Sequence, residues 1–241
     1  MPVHRERVDP IRTPVELEVC HRRWLVPDDP GRAVAIPEVA RLWRGLLDLG
    51  VLDPGSEATL DRLPLPAGEP EHVDLPAVAS AGALLGASGG AAAVSQVVFP
   101  EEGRRDPYRE EGSETGYRDY TLYIVDSPGF LLAPLPPVEL TCGACGSSSA
   151  PELTPFGAAA LVDLSRLCAH CGSPLDLGRD RARIRSGAVF LLEELCARVA
   201  LSIELPQAPR SEELPDEEIA TLVRGAFGSF DELADDGVPP A

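Results

Sequence analysis

Hydrophobic residues recur at helical spacing near both ends of this 241-residue chain. Residues 37–49 begin with a proline, carry apolar side chains on one face and stop at Gly50, which predicts a helix. Residues 215–227 have acids in the first turn and an apolar face, which predicts a second helix docked on the core. The stripe of the first helix also indicates core packing, and it consists of Val39, Leu42, Trp43, Leu46, Leu47 and Leu49.

Other stretches alternate between apolar and polar positions, as strands do. Residues 14–26 predict a strand, and residues 117–125, the turn 126–129 and residues 130–132 together predict a β-hairpin. Residues 92–99 fit a helix or a strand, whereas residues 197–205 predict a strand after a helical turn.

Proline-rich and charged stretches separate these elements. Residues 53–75 and 101–116 predict connecting loops. Residues 76–85 predict a short helix capped by Asp74.

Four cysteines form two Cys-x-x-Cys-Gly motifs, Cys142/Cys145 and Cys168/Cys171, with twenty-two residues between them. Each motif places two thiols on one tight turn, and two such turns facing each other supply the four ligands of a tetrahedral Zn²⁺ site. We expect one structural Zn²⁺ with no open coordination position, rather than a redox dithiol pair.

These motifs resemble the knuckles of zinc-ribbon proteins, which read Cys-x-x-Cys-Gly. The resemblance covers only the ribbon, residues 138–177. It implies a hairpin-like metal staple that serves nucleic-acid contact, protein contact or stability alone in different relatives. The segment between the motifs has two interpretations, a helix over 154–164 or a strand over 160–167, and we favour a short helical or turn segment followed by a strand.

The predicted fold class is α+β, with a mixed helix and sheet core into which a Cys₄ zinc ribbon is inserted. We expect an α-rich region with long loops over residues 1–116. A β-rich region over 117–230 contains the ribbon (138–177) and the C-terminal helix, and a flexible acidic tail follows over 231–241.

The charge is strongly negative, with 39 acids against 21 arginines and no lysine, a net charge of −18. Residues 49–140 hold five arginines and fifteen acids, and residues 204–241 hold two and ten. This balance disfavours sequence-independent binding of nucleic acid and suits a basic protein partner. The absence of lysine indicates a GC-rich bacterial genome. We expect a cytoplasmic protein because the chain has no apolar run of membrane-spanning length and no visible signal peptide.

A row of arginines follows the second motif, at every second position: Arg179, Arg181, Arg183 and Arg185. On a strand these side chains share one face, while Ala182 and Ile184 face inward. The row is a candidate contact for phosphates or an acidic partner, although pairing with the chain's own acids is the favoured interpretation.

The remaining candidates have structural interpretations. We expect His170 to be an exposed loop residue, Cys20 to be buried beside a surface His21, and Cys196 to lie in the core.

We expect a non-enzymatic interaction protein, namely an adaptor, a regulator or an immunity-type inhibitor that binds a protein partner through its acidic surface. The alternative is a nucleic-acid-binding ribbon protein that uses the arginine strand. A further alternative is an enzyme of unrecognised type, since the four histidines are scattered and form no known catalytic motif.

Overall fold

The computed structural model describes residues 21–32, 35–53, 58–65, 71–74, 89–98, 118–205 and 217–235. The helices in these residues are α1 (Ile36–Asp48), α2 (Leu192–Leu195) and α3 (Glu217–Phe227). The strands are β1 (His21–Pro27), β2 (Thr59–Leu63), β3 (Glu71–Asp74), β4 (Gly90–Val98), β5 (Arg118–Asp126), β6 (Phe130–Ala133), β7 (Pro137–Thr141), β8 (Ser148–Ser149), β9 (Thr154–Phe156), β10 (Ala159–Asp163), β11 (Arg181–Ile184), β12 (Val189–Leu191), β13 (Val199–Leu205) and β14 (Phe230–Asp235).

In the part of the chain that the structure describes, residues in antiparallel strands far outnumber helical residues, so the predicted mixed α+β class is wrong. Residues 53–75, which we expected to be a loop, contain β2 and β3. The stretch that fitted a helix or a strand is β4. These strands are stabilised by pairing, β2 with β3 and β4, and β4 with β5, and this pairing outweighs the low strand propensity of their alanine-rich and acid-rich sequences.

The largest sheet has seven strands in the order β14-β1-β13-β5-β4-β2-β3. It draws strands from both sides of the boundary at residues 116 and 117 that we predicted from the sequence. Its central strands are covered on both faces. In β13, for example, Val199, Leu201 and Ile203 face one core, while Ala200 faces the other.

The two longer helices cover one face of this sheet. The predicted helices over 37–49 and 215–227 correspond to α1 and α3, and the apolar stripe of α1 is buried as expected. The helices cross closely at Gly45, where a Cβ atom would lie 2.5 Å from Leu222 Cδ2. Gly50, with φ +73°, follows the end of α1, as the sequence predicts.

Two smaller sheets cover the opposite face, in the orders β6-β10-β9 and β12-β11-β7-β8. Trp24 from the large sheet is fully buried in this second core. Its ring lies 5.3 Å from that of Tyr123, which in turn meets Phe156 of β9 edge-on at 5.8 Å. Aromatic packing therefore joins the large sheet to the segment between the two cysteine motifs.

The predicted hairpin over residues 117–132 is wrong. Both strands and the turn are present, but β5 pairs with β4 and β13, whereas β6 pairs with β10 in another sheet. Arg198 donates hydrogen bonds from Nη1 to Ser127 O (2.7 Å) and from Nη2 to Pro128 O (3.4 Å), so the turn is held as a corner between layers.

Two further expectations need correction. The segment between the cysteine motifs forms the antiparallel pair β9 and β10, so the helix considered over 154–164 is absent, whereas the strand considered over 160–167 corresponds in part to β10. Residues 231–235, predicted to begin a flexible tail, belong to β14, which pairs with β1.

Several predictions lie outside the described residues: the strand over 14–20, Cys20, the helix over 76–85, the loop over 101–116 and the tail beyond 235. In the part of the chain that is described, no helix is both long and apolar enough to span a membrane.

Candidate metal centre

The first cysteine turn, residues 142–147, connects β7 to β8 and is called the first knuckle. Cys142 N donates to Ser147 O (2.9 Å), and Gly146 N donates to Cys142 O (2.8 Å). Gly146 has φ +73° and open space around its Cα, so the backbone conformation, not crowding, requires glycine here.

The second knuckle, residues 168–173, repeats this arrangement. Cys168 N donates to Ser173 O (2.7 Å), Gly172 N donates to Cys168 O (2.8 Å), and Gly172 also has φ +73°. An isolated bridge between Leu167 and Pro174 closes its base, as the β7–β8 pair closes the first. Both knuckles are therefore locally closed turns of the same shape.

The two knuckles face each other and bring four sulfur atoms together. All four Sγ atoms, from Cys142, Cys145, Cys168 and Cys171, lie within 4.8 Å of one another. The Sγ distances between Cys142 and Cys171 and between Cys145 and Cys168 are both 3.8 Å. A tetrahedron with metal–sulfur bonds of about 2.3 Å has edges of about 3.8 Å. The four cysteines are therefore positioned to hold one metal ion.

Two serine hydroxyl groups lie within hydrogen-bond distance of the cysteine sulfur atoms. Ser147 Oγ lies 3.0 Å from Cys145 Sγ and 3.5 Å from Cys168 Sγ, and Ser173 Oγ lies 3.3 Å from Cys171 Sγ. The Ser147 hydroxyl, with backbone N–H groups, lowers the pKa of Cys168 to about 6, and Ser173 lowers the pKa of Cys171. These donors favour the thiolate form that binds metal.

The pKa of Cys142 moves in the opposite direction. Backbone N–H groups of Cys145 and Ala144 lower it, but desolvation and the neighbouring Cys145 and Cys168 thiols raise it to about 11. Clustered thiols cannot all ionise without a cation between them, which is consistent with a site shaped for a metal ion.

Asp180, which we did not single out from the sequence, ties the first knuckle to the chain beyond the second. Its carboxylate accepts hydrogen bonds from Gly143 N (2.7 Å) and Asp176 N (3.0 Å), and its side chain is buried. A Cβ atom on Gly143 would lie 2.5 Å from Arg179 O, so the two segments are in close contact. The sequence carries no signal for this role, because Asp180 lies among charged residues typical of an exposed turn.

The arginine row is only partly on a strand. Arg181 and Arg183 belong to β11 and are exposed, while Ala182 is fully buried between them, as predicted. Arg183 forms an ion pair with its cross-strand neighbour Glu139. Arg179 precedes the strand and Arg185 follows it, both exposed. A role for this row in binding a partner stays a prediction.

The other two candidate residues, His170 and Cys196, lie where the sequence predicts them. His170 is exposed at the tip of the second knuckle. Cys196 is buried in the second core, and burial raises the pKa of its thiol to about 12. It is therefore a core residue, as predicted.

A groove of about 190 Å³ lies beside the cysteine cluster, between the β7–β8 hairpin and the chain entering and leaving the second knuckle. Cys142, Cys168 and Asp180 line it near the cluster. We call it the knuckle groove, and its other main lining residues are Leu140, Glu152, Leu153, Val162, Arg166 and Leu175.

No protein-family model matches this chain, and no curated protein or solved structure matches it either.

Proposed function

We propose that this chain is a non-enzymatic interaction protein in which the two knuckles hold one structural Zn²⁺ as a zinc ribbon. The observation that carries the proposal is the compact set of four Sγ atoms, two pairs of which lie 3.8 Å apart. Four thiolates around Zn²⁺ complete its tetrahedral shell, which leaves no position for a catalytic water. The role of such a centre is to hold structure.

The partner is a protein with a basic surface. The chain carries a net charge of −18, and its excess acids lie mainly outside the ribbon. Such a surface attracts a basic partner over several ångströms and repels nucleic acid.

Metal content tests the first half of the proposal. Protein purified without chelator should contain one zinc per chain, measured by mass spectrometry of the metal. Cys142→Ser should lose that zinc and unfold around the knuckles, because three ligands bind Zn²⁺ less well and the turns depend on it. Cys196→Ala is the control, since Cys196 is buried in the second core, is not one of the four clustered cysteines, and its replacement should not alter the zinc content.

A thiol count distinguishes zinc from redox chemistry. In the native protein the four ligands should be protected, which leaves Cys20 and Cys196 of the six cysteines, and Cys196 should react slowly because it is buried with a pKa of about 12. Protein without metal, whose Cys-x-x-Cys pairs cycle between thiol and disulfide, would overturn the zinc proposal. Bound iron would preserve the centre and change the metal.

Capture of proteins from a lysate of the source organism on the immobilised chain tests whether the partner is a basic protein. A basic protein should be retained stoichiometrically at moderate salt and released at high salt, because its attraction depends on charge.

The competing function is nucleic-acid binding through Arg181 and Arg183, which are exposed. Retention of DNA or RNA that is lost in the double variant Arg181→Ala plus Arg183→Ala would replace the protein partner with this alternative.

A further inference from the structure

The knuckle groove has the size of a single side-chain pocket. Its volume of about 190 Å³ is below the roughly 300–1,000 Å³ of small-molecule sites. A cavity of about 150 Å³ accepts a benzene ring, so the groove accommodates one large apolar side chain. Its walls are largely aliphatic, and Leu167 at its edge is 63% exposed.

The charged groups that line the groove are mostly negative. Cys142 and Cys168 belong to a centre that, with four thiolates and one divalent ion, carries a net charge of about −2. Glu152 and the buried Asp180 add two carboxylates, and Arg166, which pairs with Glu152, is the positive residue of the lining. A lysine or arginine beside the apolar side chain of an occupant therefore complements the groove.

The neighbouring backbone favours an extended occupant. Among the described residues β8 is the edge strand of its sheet, and both of its residues, Ser148 and Ser149, are exposed. An edge strand offers backbone N–H and C=O groups to a further strand, and alternate side chains of that strand enter adjacent pockets.

We propose that the knuckle groove binds an extended segment of another protein, which adds to the edge at β8 and inserts one apolar side chain flanked by a lysine or arginine. This proposal rests on the proposed function, because the bound zinc supplies the charge of the centre and holds both walls in place. It assigns partner recognition to a defined surface within the ribbon.

The test uses a random heptapeptide library displayed on phage and panned against the full-length, zinc-loaded chain. The enriched peptides should carry a large apolar residue with lysine or arginine within two positions. A synthetic copy of the best peptide is then titrated by fluorescence anisotropy. Its affinity should fall when the salt concentration is raised, because part of the attraction is charge.

Three variants locate the binding site. Ala150→Trp places a large ring in the groove lining and should lower the affinity for the peptide by about tenfold or more. Glu152→Gln removes an exposed carboxylate and should lower the affinity for the peptide by about two- to fivefold. Ala188→Trp adds the same ring at an exposed position outside the groove and should leave the affinity unchanged.

Zinc is measured on the same samples, so the two proposals fail separately. With one zinc per chain present, the groove proposal is wrong if no peptide is enriched, if the enriched peptides are acidic, or if Ala150→Trp binds them as well as the parent. Concentration-dependent dimers that Ala150→Trp converts to monomers would assign the groove to a second copy instead. Loss of zinc from the parent chain would overturn the proposed function itself.

Discussion

A single carboxylate, that of Asp180, links the first knuckle to the stretch of chain that follows the second knuckle. It lies within hydrogen-bond distance of Gly143 N on the first knuckle and of Asp176 N beyond the second. Both oxygen atoms are used, and the side chain is 4% exposed. A buried anion therefore fixes the position of the first knuckle against the chain that leaves the second knuckle, beside the four clustered cysteines.

Asp180→Asn should lower the free energy of unfolding by about 1–3 kcal/mol, because the amide retains one acceptor oxygen and leaves one buried N–H without a partner. Urea denaturation of the zinc-loaded protein measures the change. Asp176→Asn is the matched control in the same turn, since the Asp176 carboxylate is exposed and accepts from Gly178 N at 3.2 Å. Equal losses of unfolding free energy in Asp180→Asn and Asp176→Asn would argue against a special role for Asp180.

Asp119 provides a prediction about pH. Desolvation and the charge of its cross-strand neighbour Glu204 raise the pKa of Asp119, while Thr121 and Arg22 partly offset this. The folded state thus binds the proton more tightly than the unfolded chain does. The contribution of Asp119 to stability is therefore fully present below the ordinary pKa of 3.8 and is lost as the pH rises through the raised value.

Asp119→Asn should therefore raise the melting temperature at pH 7, and the gain should shrink as the pH approaches 3.8. Thermal melts at several pH values test both the sign and the trend. Asp126→Asn changes an exposed residue at the end of the same strand and should have little effect. A loss of stability at pH 7 in Asp119→Asn would show that the attraction between the Asp119 carboxylate and Arg22 outweighs the cost of burying that carboxylate.

The knuckles also depend on how closely neighbouring elements approach. Gly143→Ala would place a methyl group 2.5 Å from the backbone oxygen of Arg179, which cannot rotate away. We expect a loss of about 1–3 kcal/mol and weaker zinc binding, measured by denaturation and by competition with a chelator. Gly129→Ala is the control, because nothing lies within 4 Å of its added Cβ. Similar behaviour of the two variants would contradict the tight contact.

Helices and strands that are marked by the pattern of their own residues were predictable from the sequence. The pairing of strands with segments far away in the chain was not. The stripe of α1 and the acidic first turn of α3 identify those helices within a dozen residues. The strand β6 is also recognisable, but its pairing with β10 instead of β5 depends on distant residues. Sequence pattern gives no register between segments so far apart, which explains the wrong hairpin and the wrong fold class.

The same distinction applies to the candidate centre. The spacing of the four cysteines predicts their clustering, because each turn places two thiols on one side and the turns need only face each other. Asp180 and the knuckle groove arise where separate segments meet, so no local pattern indicates them.

At the scale of the whole molecule, the large sheet separates two cores, and each core contains one of the two tryptophans. Trp43 lies on the helix side, and Trp24 lies on the side of the smaller sheets. Trp24 packs on Tyr123, which contacts Phe156 in the segment between the knuckles. The tryptophans therefore report separately on the two halves of the molecule.

Removal of zinc by a chelator should shift the fluorescence of Trp24 to longer wavelength and leave that of Trp43 unchanged, because the ribbon opens while the helix side stays folded. The variants Trp43→Phe and Trp24→Phe isolate the two signals. A simultaneous change of both would mean that the chain unfolds as one unit. Constant emission from both would mean that the metal does not support the second core.

Among the described strands, β14 lies at the edge of the large sheet, and its acidic sequence has a consequence for association. Its sequence FDELAD contains three acids and no base, and it pairs with β1 on one side. If two copies met edge to edge at β14, their acidic side chains would be brought close together, and like charges near each other destabilise strand pairing. The carboxylates of Asp231 and of Glu232, which also pairs with Arg23, thus act against aggregation through sideways growth of the sheet. Burial raises the pKa of Glu232 among them, so this protection should weaken first in acid.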